Sequence, residues 1–384
     1  VQFLYYLCST ISKRMAQAEH NRAIDILKII AIILVVMGHM GFIPRLGGAC
    51  EPYFPIYSYH ILLFLFCSGY LFRDFDWRDL GRFVWRKTRS LALPLIGWNI
   101  VYAGIVSLIN LRHPVTYFPA SEQIWTLQNL FVEPFVSGHQ YLLNLATWFV
   151  GMLYLTLLVY GLLHLITKRI PDWVMLIVFL ALAALGLYST SLPLSGRWWL
   201  VAQRIALALF FVHFGRCFRK YIEPRLRYQH LWWMLIVIAG VTYFAHCMNG
   251  NHRYIMAWMN YDHCIVMPIV AGILGCLFWM LMSMQITHLV PANRVETLLA
   301  KSTWSIMTNH LLVRFMFCWT VVHFSQNMVA REMFTTNFWY FPQDCIWFYH
   351  LGLFLEIALP CLWQLFADYI RNRLYESASI FHSA

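Results

Sequence analysis

Residues 22–40 read RAIDILKIIAIILVVMGHM. Beyond Lys28 the stretch is uncharged as far as His39, and as a helix its nineteen residues extend roughly 28 Å, close to the thickness of a bilayer's hydrocarbon core. Asp25 lies three residues before Lys28, and His39 lies eleven after it. Eleven residues are about three helical turns, so the three polar groups share one stripe, with Lys28 and His39 roughly 16 Å apart along the axis. The remaining faces are Ile, Leu and Val. Ionisable groups in hydrocarbon are costly and face a cavity or a partner. Either Asp25 and Lys28 form a snorkelling ion pair while His39 bonds a neighbouring helix, or the stripe lines a functional interior.

Working outward, nine further stretches have the length and apolarity of a spanning helix: 56–72, 91–110, 142–166, 172–190, 198–215, 231–247, 262–284, 298–325 and 346–370. Of the 384 residues, 60% are hydrophobic and 12% charged, against about a quarter charged in a soluble domain. Such a chain cannot cover its surface for water. The expected fold is therefore all-α, a polytopic transmembrane bundle of about ten spans with both termini cytoplasmic. That orientation follows the basic residues. Arg73, Arg78, Arg82, Arg86, Lys87, Arg89, Lys168, Arg169, Arg216, Arg219, Lys220, Arg225 and Arg227 crowd the inner loops. The outer loops hold only Arg45, Arg112, Arg197, Arg253 and Arg331, as the positive-inside rule requires. The organisation reads as a cytoplasmic tail over 1–22, one membrane domain over 23–373, and a short cytoplasmic tail over 374–384.

The net charge of +11 follows from the same loop bias, which excludes a nucleic-acid binder. The ten cysteines form no CxxC pair, so neither a zinc site nor a disulfide framework is expected. Residues 1–14, VQFLYYLCSTISKR, carry an apolar patch followed by basic residues and no small-residue cleavage site. They read as an extension ahead of Met15 or as a mobile tail.

Further polar residues fall within the apolar stretches: His60, Ser68, His164, Arg204, His213, His310, Arg314 and Glu356. Singly each is an interhelical hydrogen bond; together they imply a polar interior. Arg86 and Arg89, three apart, share a helix face and suit a phosphate or pyrophosphate, although from charge alone the positive-inside rule and lipid headgroups are the better account of them. The longest outer loop, about 111–141, is rich in aromatics and contains Glu122, Glu133 and His139.

Five segments resemble, in order, the acyltransferase-3 family of membrane acyltransferases, which modify bacterial surface glycans and related molecules. RAIDILKIIAIILVVMGHM resembles the opening helix, in which a basic residue precedes a histidine by eleven places (Lys28 and His39). YHILLFLFCSGYLF at 59–72 resembles the second helix, with His60 and Ser68-Gly69-Tyr70. RKTRSLALP at 86–94 carries Arg86, Arg89 and Pro94, ATWFVGMLYL at 146–155 carries Trp148-Phe149, and LAKSTWSIMTNHLLVRF at 299–315 carries Ser305 and His310. Lys28 stands where Arg is common, which keeps the charge and loses bidentate geometry. Thr147 precedes Trp148 where many members have a His-Leu pair.

The resemblance implies acyl transfer, commonly O-acetylation, from cytoplasmic acetyl-CoA to a hydroxyl of a carbohydrate or glycan precursor, without a metal. It further implies a multi-pass protein of the bacterial cytoplasmic membrane. Lys28, Arg86 and Arg89 are the candidate donor-binding residues, and His39, His60 and His310 the candidate catalytic ones. His39 acts either as general base or as an acyl acceptor that relays the group. His60, Ser68 and Asn309 are the candidates for an oxyanion donor. The alternative from another class is a secondary transporter or flippase for a lipid-linked sugar, although no internal repeat or matched pair of Gly/Pro-broken helices points to one.

Overall fold

Apolar stretches of this length leave the backbone no water to bond, so each closes its hydrogen bonds internally as helix. The computed structural model describes residues 21–39, 58–112, 121–193, 196–249, 254–261, 264–324 and 346–383. The tail over 1–20 lies outside them. In chain order the helices are α1 (Arg22–His39), α2 (His60–Tyr70), α3 (Leu80–Lys87) and α4 (Leu93–Arg112). Next come the short α5 (Ser121–Ile124) and α6 (Glu133–Val136), then α7 (Trp148–Ile166), α8 (Asp172–Tyr188) and α9 (Arg197–Cys217). The last four are α10 (Leu231–Asn249), α11 (Val266–Leu289), α12 (Arg294–Phe324) and α13 (Ile346–Ser383). Among the described residues the one extended pairing is an isolated bridge, Ile255 to Asn260.

The protein is a polytopic membrane bundle. Seven described helices are long and apolar enough to cross a membrane, and α2 is a shorter apolar helix beside them. Among the described residues, each of the ten apolar stretches of the sequence lies on a helix. One connection differs from the expectation of a loop after residue 72. Residues 77–111 form a single apolar helical run, in which α3 passes through a π turn, Thr88–Ala92, into α4. Phe83 drives this arrangement. Its ring stacks on Phe75 at 4.4 Å and lies against Gly161 of α7, while Thr88 Oγ1 meets the Tyr154 hydroxyl at 2.9 Å. Residue numbers rise along α3 as they fall along α7, so the two run antiparallel.

Helix α1 sits at the centre, packed by α2, α11, α12 and α13. Its first residue, Arg22, forks onto Glu296 of α12 at 2.7 Å through two nitrogens. The same guanidinium donates to the carbonyls of Thr287 and Val290 at 3.2 and 2.5 Å, satisfying acceptors at the end of α11 that have no partner within their helix. Helices α2 and α9 touch backbone to backbone. A β-carbon on Gly69 would overlap the Val212 carbonyl, and one on Gly215 the Phe66 carbonyl. Small residues provide such close approach where lipid gives helices no hydrophobic reason to associate.

Gly69→Leu or Gly215→Leu is therefore expected to lower the thermal midpoint in detergent strongly, since overpacking costs about 1–3 kcal/mol or more. Gly97→Ala, where a β-carbon meets nothing within 4 Å, is the silent control. Equal midpoints for all three variants would contradict this packing.

Candidate active site

His310 and Arg314 stand one turn apart on α12 and so share a face. Arg314 Nε and Nη2 donate to the two carboxylate oxygens of Glu356 on α13, at 2.8 and 2.9 Å. Both side chains are out of solvent, at 1% and 0% exposure. The remaining guanidinium nitrogen donates to the backbone carbonyl of His39. That carbonyl belongs to the last residue of α1 as described, Arg22–His39. Arg314 thus fixes the end of α1 that carries His39.

The His39 and His310 rings lie 5.3 Å apart at 40°. His310 Nδ1 meets the Ile306 carbonyl at 2.8 Å, which assigns the proton to Nδ1 and leaves Nε2 with a lone pair. Nε2 is buried without a hydrogen-bond partner among the described residues. Leaving a buried polar group unsatisfied costs about 1–3 kcal/mol, and such groups call for an explanation, a catalytic role among them.

His39 lines a cavity of about 280 Å³ together with Val35, His60, Ile61, His139, Leu145, Ala146, Trp148 and residues 255–258. His39 and His60, widely separated in sequence, line this cavity, and His310, outside its lining, adjoins it through the His39 ring. His139 joins them. Its ring stacks on Trp258 at 4.1 Å and lies parallel to Trp148 at 6.4 Å. Burial, with a smaller push from the Arg204 cation, takes the His139 imidazole down to about 4, so it is neutral at pH 7.

The candidate donor-binding residues lie elsewhere. Lys28 is paired with Asp25 at 3.3 Å. Arg86 and Arg89 are exposed, flank Thr88 where it meets Tyr154, and make no hydrogen bond or ion pair among the described residues. Tyr154 is six residues from Trp148, or about 9 Å of helix axis. Of the oxyanion candidates, Ser68 donates to the Phe64 carbonyl at 2.8 Å. The Asn309 amide donates to the Ser305 carbonyl and to Thr308 Oγ1, each at 2.9 Å. Both spend their donors inside their own helix, and only His60 reaches the cavity.

A second cavity, of about 350 Å³ among α7, α8 and α9, holds none of these residues. There Tyr160 bonds His213 at 2.9 Å and Lys220 bonds Asp172 at 2.7 Å, while Arg216 bridges Asp74 and Asp172. Among the described residues no group of His, Cys, Asp and Glu could hold a metal ion.

Sequence reading noted Arg314 and Glu356 but did not join them. The signals available were the four-residue step from His310 to Arg314 and the presence of one buried acid to answer one buried base. His139 stood in an outer loop with nothing to tie it to His39.

The fold and the site define a helical membrane protein with imidazoles gathered beside a cavity. The acyltransferase domain model of the acyltransferase 3 family matches residues 21–342, and the chain belongs to that family. No curated protein and no solved structure matches the chain.

Arg314→Met strands Glu356 as a buried, unpaired acid and is expected to cost about 3–5 kcal/mol, whereas Arg314→Met with Glu356→Leu restores most of the stability. Thermal midpoints of the two variants check this, and equal losses would contradict it. His139 gives a pH signature. A free imidazole binds its proton near 6.5, the folded one only near 4, so the unfolded chain takes up more protons between those values. Stability contributed by this residue is lost as pH falls from 6.5 to 4 and is level below. The midpoint of His139→Gln should fall less steeply than that of wild type across this window, and parallel profiles would exclude the effect.

Proposed function

We propose that the protein transfers an acyl group, acetyl in the first instance, from cytoplasmic acyl-CoA to a hydroxyl of a carbohydrate or glycan precursor, with His39 and His310 as the reacting pair. The observation that carries this reading is the His310 Nε2 lone pair, buried without a hydrogen-bond partner among the described residues, beside the ring of His39, which lines the cavity. In the step itself the acceptor oxygen attacks the thioester carbonyl carbon. A C–O bond forms as the C–S bond breaks. The imidazole takes the hydroxyl proton and returns it to the departing thiolate, giving an ester and free CoA. His60, at the start of α2 on the same wall, is the candidate for polarising the carbonyl.

The donor is anionic at one end and reactive at the other. Arg86 and Arg89 support its phosphate end, being exposed and unpaired on a helix that runs toward the cavity wall; such pairs grip phosphate through paired N–H donors. Lys28, on the same helix as His39, adds positive charge along the path, although Asp25 shares it. With both termini cytoplasmic, Lys28 lies toward the acyl-CoA pool and His39 toward the far side, while Arg86 and Arg89 stand part-way along α7 beside Tyr154. The membrane that suits this chemistry is the bacterial cytoplasmic membrane. No contact favours a transporter.

In nanodiscs, wild type is expected to release CoA slowly from acetyl-CoA. His39→Ala and His310→Ala should each lower kcat by about 100-fold or more. Arg86→Ala with Arg89→Ala should raise the KM for acetyl-CoA by about tenfold with kcat nearly unchanged. Full turnover by folded His39→Ala would refute the mechanism, and an unchanged KM would refute the phosphate assignment.

A further inference from the structure

Four side chains form a column at the outer wall of the His39 cavity. The Arg204 guanidinium lies 4.8 Å over the Trp148 ring. Trp148 lies parallel to His139 at 11°, and His139 stacks on Trp258 at 25°. Arg204 is 1% exposed and has no carboxylate partner among the described residues. Instead it donates to the carbonyls of Val136 at 2.9 Å and Ser137 at 3.4 Å, and to that of Ala257. A buried guanidinium held by carbonyls through its two terminal nitrogens, with Nε buried and unbonded among the described residues, is an expensive construction. Here it ties the segment that carries His139 to the turn that carries Trp258.

That turn is built to present one ring. Ile255 and Asn260 exchange backbone bonds at 3.0 and 3.1 Å, closing a tight loop. Met259 takes φ 50°, a left-handed conformation that disfavours side chains with a Cβ and persists where surrounding structure enforces it. Tyr254, Met256, Met259 and Tyr261 are buried at 2–6% exposure, whereas Trp258 is 58% exposed. The loop is anchored by its neighbours and leaves the indole at the cavity mouth. His139 covers one face of the indole; its Nδ1 is a buried atom without a hydrogen-bond partner, a polar group at the edge of an apolar platform.

We infer that the Trp258–His139 platform is the acceptor subsite, taking a sugar ring on the indole face that His139 leaves open, and that His139 and Arg204 are the positioning residues behind it. The inference rests on the reading of the cavity as an acyl-transfer centre. The chemistry fits a carbohydrate because a pyranose has an apolar C–H face that packs on an aromatic ring and a rim of hydroxyls that needs polar partners. The placement fits as well, since Trp258, His139 and His39 line the same 280 Å³ space, so a ring held there brings a hydroxyl to the imidazole pair. Ligand sites of this kind combine mostly apolar walls with a few placed polar groups.

The test uses purified protein in nanodiscs on an immobilised array of mono- and oligosaccharides, with acetyl-CoA hydrolysis by wild type measured in parallel. Wild type should bind a defined subset of glycans. Trp258→Ala should weaken that binding by about tenfold or more, and Trp258→Phe should retain most of it, as expected when a stacking surface is removed or kept. Arg204→Gln should weaken the same glycans while its thermal unfolding remains cooperative. Binding by Trp258→Ala at wild-type affinity would overturn the platform, as would a hydrolytically active wild type that binds no glycan. Glycan binding that depends on Trp258, in a protein that does not hydrolyse acetyl-CoA, would support the platform and overturn the donor assignment instead.

Discussion

The Arg314–Glu356 pair is the interaction on which the rest of the site depends. Taking a guanidinium and a carboxylate out of water costs several kcal/mol for each ion. The two-pronged geometry, with both carboxylate oxygens engaged at 2.8 and 2.9 Å, offsets that cost in the low dielectric of the bundle. The third contact, to the His39 carbonyl, turns a pair that would only join α12 to α13 into a three-helix clamp. Arg22 performs the corresponding task at the other end of α1, where it holds Glu296 and the end of α11. A helix fixed at both ends by forked arginines presents its histidine in one position, and the 5.3 Å approach of His39 to His310 follows from that rigidity.

Polar groups in the bundle are divided by depth and by partner. Most charged groups of the second cavity are engaged with one another: Asp74, Asp172, Arg216 and Lys220 form an ion-pair network that stabilises the ends of α8 and α9. Those around His39 are left partly unengaged, with unpartnered atoms on His310 and His139. Among the described residues Arg86 and Arg89 also make no hydrogen bond or ion pair, on the helix that flanks α7.

Much of the architecture was legible in the sequence because hydrocarbon imposes length and apolarity on each span separately. The α1 stripe was legible for the same reason: a period of 3.6 residues puts Asp25, Lys28 and His39 on one line, and the ion pair at its inner end is present. The order of the motifs pointed to the family. Pairings between helices were not legible. Arg314 and Glu356 are 42 residues apart, and nothing local relates them. The π turn at Thr88–Ala92 was hidden because basic residues there mimic a loop, although Phe83 buries against α7 and carries the helix through. Arg204 read as an isolated span charge, since its partners are backbone carbonyls, which every residue has.

The most direct test of the account is an experimental structure of the protein in nanodiscs with a non-hydrolysable thioether analogue of acetyl-CoA. The account predicts the carbonyl carbon within roughly 4 Å of the His39 or His310 ring, as a reactive arrangement requires, and the phosphates against Arg86 and Arg89. An analogue lodged instead among Asp74, Asp172 and Arg216, with no density beside His39, would contradict it.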